Sequence, residues 1–256
     1  DVLAIGDAPT DITSHSVATS HFYDIFRYQI LDTNSYIEEI WAYGYWAIDR
    51  CARIIKEGAS FKEVTKGDLT EVEGCIAQAY AIKALCSFYL TNMFGLPYSE
   101  ANKTTLGIVN VTEPVPAYSQ VSRVSVEQNY SLILDDITKA KEYYAKEGVE
   151  NVGKQYMNTA AVAALEARVK LYMKNYEGAI TAAQEAITLS GGTIVSTKED
   201  YKNMYTTLAV STEDIFFIAK AEDDYLSANA LNTLWNKYGL SINSATIAEY
   251  SSNDIR

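Results

Sequence analysis

The chain has 256 residues, and its 21 Lys and Arg stand against 33 Asp and Glu for a formal net charge of −12. That length holds one large domain or two small ones with a full hydrophobic core. A surface this acidic repels phosphate backbones, which excludes nucleic acid as a partner.

Residues Asp1 to Ser35 mix Asp, Thr, Ser, His and aromatic side chains without a sustained period, so irregular structure or a short helix with loops is expected there. From Tyr36, residues Trp41, Tyr45, Ile48, Ala52 and Ile55 recur at three and four, predicting a helix with Gly58 as its stop. A second helix is predicted from Asp68 to Phe94, apolar almost all round apart from a narrow line of Lys83, Ser87 and Thr91. It should therefore be central. Gly95 and Pro97 end it, and the proline-bearing span to Val124 is either functional or ordered by packing.

Ser125 and Gln128 form a capping box ahead of a helix whose inner stripe is Val126, Tyr130, Ile133, Ile137, Ala140 and Tyr144. Asn158 is placed to cap the next helix, a tight turn falls at Lys174-Asn175, and a helix with Ala179, Ala183 and Ala186 closes at Gly191-Gly192. Small residues at these spacings resemble a tetratricopeptide hairpin. Two earlier pairs, 36–57 with 69–94 and 126–146 with 158–173, extend this to a stacked array. The run Asp214 to Ala219 (DIFFIA) predicts a short strand, followed by an Asn- and Ser-rich tail without a packing period.

Cys75 and Cys86 lie eleven residues apart on one predicted helix, about 16 Å of rise and too far to bridge. The three cysteines are expected to be small buried thiols. No run of about 18 apolar residues is present, so no helix is expected to span a membrane. Asp1 to Asp11 lack a signal-peptide pattern, and any export signal or lipid-bearing cysteine is expected upstream of Asp1.

The order of these segments resembles the SusD/RagB family of outer-membrane glycan-binding lipoproteins. Four stretches carry the likeness: WAYGYWAIDRCARII from Trp41; Glu73 to Pro97 running into an aromatic-Gly-x-Pro turn; Arg123 to Tyr130 with Ile133 and Asp136; and the alanine-rich hairpin from Asn158 to Gly192 with Ser211 to Phe216 beyond it. The resemblance implies a mainly α fold, with tetratricopeptide-like hairpins packed against an irregular, loop-rich region carrying a few short strands. It implies one SusD-like domain over 1–256, resembling mainly the N-terminal half of the family, with a helical scaffold at 36–192 and a binding region at 1–35 and 193–256. It further implies a lipid-anchored protein at the outer-membrane cell surface, capturing oligosaccharide or polysaccharide for a SusC-type TonB-dependent transporter. At position 83 the family commonly shows Arg where this chain has Lys, which keeps the charge but loses bidentate hydrogen bonding.

No catalytic motif accompanies these segments. His15 and His21 read as exposed polar residues, without zinc spacing or any need for a cofactor. Asp135-Asp136 and Asp223-Asp224 are adjacent pairs. Neighbouring residues on a helix point to different faces, so the first pair reads as solvated helix charge and not as the facing acids of a glycosidase. The two glycosylation-type sequons, at Asn102 and Asn110, read as coincidence.

A pyranose offers an apolar C–H face and a rim of hydroxyls, and its site needs exposed rings with polar groups beside them. Twenty tyrosines among 30 aromatic residues suit that task. The candidates are Asp7, Asp11, Tyr28, Asn34 and Trp235; Phe22, Tyr23 and Phe26 read as core anchors. Trp41 shares the inward stripe, and Trp46 lies off it. Two other readings stay open: a helical-repeat adaptor for a peptide or protein, and an α-helical glycan-degrading enzyme.

Overall fold

A computed structural model describes residues 2–16, 19–207, 209–219, 231–251 and 254. The chain divides into two compact units: residues 1–41, 196–208 and 219–256 in one, residues 42–195 and 209–218 in the other.

In the first unit, α1 (Val2–Ile5), β1 (Thr13–His15) and α2 (Tyr23–Phe26) precede the start of α3 (Ser35–Val64), and the later segments add α8 (Lys198–Thr206), α9 (Leu231–Asn236), β2 (Leu240–Ile242) and α10 (Ser244–Ala248). β1 and β2 pair antiparallel, with Ser14 opposite Ser241. Ala4, Ala8, Phe22, Ile25, Leu234 and Leu240 form this unit's core, and Ile5, Tyr36, Trp235 and Tyr238 pack against it half-buried.

The second unit holds the rest of α3 with α4 (Thr70–Phe94), α5 (Val126–Tyr144), α6 (Thr159–Tyr172) and α7 (Tyr176–Ser190). The capping box at Ser125 is fully formed, and the six residues of the α5 stripe are all buried. Asn158 caps α6 through Ala161 N–H at 2.9 Å, Asn175 caps α7 through Gly178 N–H at 3.0 Å, and Gly191 ends α7 in the left-handed region at φ 60°. The most closely packed helix pairs are α4 with α5 and α6 with α7.

Several expectations change. Gly58 does not stop α3; a Cβ there would lie 2.8 Å from Ile76 Cδ1, so the glycine lets α4 come close while the helix continues to Val64. Asp214 to Ala219 forms no strand: Ile215 and Phe216 pack on the helical core, and Phe217 N–H donates one backbone bond to Lys154. Cys75 is exposed, not buried. Asp136, expected in solvent, is buried with Lys83 at 2.9 Å; only Asp135 faces water. The second acidic pair, Asp223-Asp224, lies outside the described residues.

The span between α4 and α5 is ordered by packing at its inner end. Tyr45 Oη accepts from Val109 N–H at 2.8 Å and lies 3.1 Å from Val109 carbonyl, Asn129 pairs with both backbone groups of Ile108, and Lys83 donates to Val111 carbonyl. Beyond Val111 the residues run mostly exposed to Arg123, with Tyr118 fully open to solvent at φ 64°.

Candidate functional site

The first unit holds all five sequence candidates. Its centre is a nest of rings. His15 Nε2 lies 2.7 Å from His21 carbonyl, and His21 Nδ1 lies 3.2 Å from Tyr36 Oη. The His21 ring sits 4.0 Å from Tyr238, and His15 contacts Tyr23 and Phe26 at 5.2 and 5.6 Å. Both histidines are therefore half-buried structural residues and not the exposed ones expected. Loops rich in polar residues supply no long helix to fill this unit, so stacked rings and ring nitrogens do the packing. Burial also raises the Tyr36 phenol above its ordinary value, against the pull of a Phe22 backbone hydrogen bond.

Around this nest the candidates occupy different settings. Asp7 and Asp11 are exposed, and their backbone carbonyls hold the turns: Asp7 carbonyl accepts from Thr10 N–H at 3.0 Å and Asp11 carbonyl from Asn243 Nδ2 at 3.4 Å. Tyr28 follows α2 with φ 56° and is 73% exposed. Only a local constraint keeps a non-glycine residue in that region; here Tyr28 N–H donates to Ile25 carbonyl at 3.0 Å. Asn34 is half-buried, and its Oδ1 accepts from Tyr36 and Ile37 N–H at 3.1 and 3.3 Å, so it caps α3. Trp235 is half-buried against the core of this unit. Of the five, Tyr28 alone combines a large ring with an exposed setting.

Rings that sequence reasoning did not select are also open to water. Tyr43 and Trp46 on α3 are each 57% exposed, with ring centroids 5.1 Å apart at 85°. Trp46 signals itself in the sequence only by lying off the inward stripe, and Tyr118 only by following Pro114 and Pro116 in the proline-bearing span. Among the described residues there is no group of three or more metal-ligating side chains, and no helix is long and apolar enough to cross a membrane.

A family model named SusD-like, with the description starch-binding associating with outer membrane, matches residues 4–171. No functionally curated protein matches the chain. Among solved structures, a SusD superfamily protein from Bacteroides thetaiotaomicron VPI-5482 aligns at 20% identity and TM-score 0.82, over 97% of this chain and 56% of its own. One from Bacteroides vulgatus ATCC 8482 aligns at 22% and 0.82, over 97% and 57%. A laminarin binding SusD-like protein aligns at 17% and 0.60, over 81% and 43%. The chain thus spans about half the length of these proteins, from 43% to 57%, and the likeness is one of fold.

Proposed function

Since the chain belongs to the SusD-like family, we propose that it is a noncatalytic cell-surface protein that captures oligosaccharides for import. The observation that carries this reading is Tyr28. Its ring is 73% exposed, in the unit that also holds the polar candidates Asp7, Asp11 and Asn34 and the half-buried Trp235. An exposed phenol takes the C–H face of a sugar while its hydroxyl and polar groups of the same unit serve the hydroxyl rim.

The captured glycan passes to a SusC-type TonB-dependent transporter. The protein is held at the outer membrane by a lipid anchor and needs no cofactor. An open site of this kind binds weakly, and residence beside the transporter compensates through effective concentration.

Calorimetric titration with maltoheptaose and laminarihexaose, with product analysis of the same samples, tests the reading. We expect binding of at least one glycan without cleavage, weakened about tenfold by Tyr28→Ala at unchanged thermal stability. Absence of binding to a broad glycan array, or release of shorter products, overturns it. Co-purification with the transporter tests the import step.

A second reading, a helical-repeat adaptor for a peptide or protein partner, is favoured by one feature. Tyr176, Ile180 and Ile187 are exposed along α7, at helical spacings of four and seven.

A further inference from the structure

Within the second unit the rotation of α3 about its own axis is set by contacts on one side. A Cβ on Gly44 would meet Leu90 Cδ2 at 2.9 Å, so the glycine seats α3 against α4. Tyr45 Oη clamps both backbone groups of Val109, and Ile48, Cys51 and Ala52 are buried. At 100° per residue this directs Tyr43, Trp46 and Arg50 to the opposite face, three and four residues apart and therefore neighbours on the helix surface.

Each ring of the Tyr43–Trp46 pair remains more than half exposed. The 85° angle makes each ring a buttress for the other, so the two are held in place before anything binds. Arg50 is exposed and makes no hydrogen bond or ion pair with the described residues. Its neighbour Asp49 is already taken by Arg53, through both carboxylate oxygens at 2.7 and 3.3 Å. From Tyr43 to Arg50 the helix rises about 10 Å, the length of about two pyranose rings.

We propose that Tyr43, Trp46 and Arg50 form a second glycan site, which takes a short stretch of a neutral hexose chain. The sugar's C–H face lies on the aromatic corner, and the guanidinium donates to its hydroxyls. This rests on the glycan-binding reading above but uses different residues in a different unit. The protein then carries a sugar contact on each of its two units.

The test is titration of the chain with maltoheptaose and laminarihexaose, for the unaltered protein and for Trp46→Ala, Trp46→Phe and Tyr28→Ala, with sedimentation velocity on each. Trp46→Ala should raise Kd about tenfold while leaving the melting temperature unchanged, because the ring faces solvent. Trp46→Phe, which keeps an aromatic face, should recover most of the affinity. Glycan binding that is lost in Tyr28→Ala but unaltered in Trp46→Ala overturns the second site and leaves the general function standing. Failure of the unaltered protein to bind any glycan overturns both. A dimer that Trp46→Ala dissolves without changing sugar affinity assigns this face to a second copy of the chain, and that also overturns the proposal.

Discussion

Lys83 Nζ lies 2.9 Å from Asp136 Oδ1 with both side chains only 3% exposed, and it also donates to Val111 carbonyl at 3.2 Å. Asp136 Oδ2 is buried without a hydrogen-bond partner among the described residues. One contact thus joins α4, α5 and the span between them. Removing the cation from such a pair strands a buried carboxylate, and Lys83→Met should cost about 3–5 kcal/mol in urea denaturation. Lys83→Arg keeps the charge and brings a planar fork that can serve both carboxylate oxygens, so it should recover most of that loss.

The pair also has a pH signature. Burial raises the Asp136 carboxyl from 3.8 to about 6, against the attraction and hydrogen bond of Lys83. A folded-state value above the unfolded one means that this group's contribution to stability is complete below about 3.8 and is lost as pH rises through about 6. The stability of the unaltered protein relative to Asp136→Asn should therefore fall across that window, by on the order of 3 kcal/mol. Glu73 acts in the opposite sense: hydrogen bonds from Lys146 and Lys62 lower its carboxyl, so its contribution is lost as pH falls. At Glu166 burial raises the carboxyl, but hydrogen bonds from Lys141 and Lys170 outweigh it and the net shift is downward, with the same consequence. Comparison with the Asn variant cancels both.

Asn129 holds the proline-bearing span onto α5. Its Oδ1 accepts from Ile108 N–H at 2.8 Å, and its Nδ2 donates to Ile108 carbonyl at 3.1 Å and to Asn110 Oδ1 at 2.6 Å. Asn129→Ala leaves two buried backbone groups unpaired and should cost about 2–4 kcal/mol. A Cβ on Gly107 would fall 1.9 Å from Asn129 Oδ1, so Gly107→Ala should damage the same contact. Because the two changes share one target, denaturation of the double variant should show a loss smaller than the sum of the singles.

Asn34 reads in the sequence as a sugar contact, and its side chain closes the first turn of α3. Asn34→Ala should lower stability by about 1 kcal/mol, and Asn34→Asp, which still caps, should not. If Asn34 also contacts glycan, the Asp variant will lose affinity at full stability, a combination that capping alone does not produce. Thermal melts read beside titrations separate the two roles.

The helices were legible in the amino-acid order because their signals are local. Ser125 with Gln128, Asn158 and the stripe from Val126 to Tyr144 each act within a few residues, and all appear as expected. Gly58 misled because the same residue that ends a helix also admits a close neighbour, and only the approach of Ile76 tells which applies. Asp214 to Ala219 has strand composition but finds a helical core to cover instead of a strand to pair with.

Exposure, on which a glycan site depends, is a property of distant parts of the chain. Trp46 lies off the local stripe and faces water, but nothing near Trp235 in sequence says that its ring packs on a core. Asp136 reads as an ordinary surface acid until Lys83, on another helix, is brought to it. The sequence alone determined the helical segments, their caps and the family likeness, since these follow from short-range hydrogen bonding and apolar periodicity. Tertiary structure alone decided which rings are free for a ligand and which polar groups are spent on holding the fold, because burial is assigned only when separated segments meet.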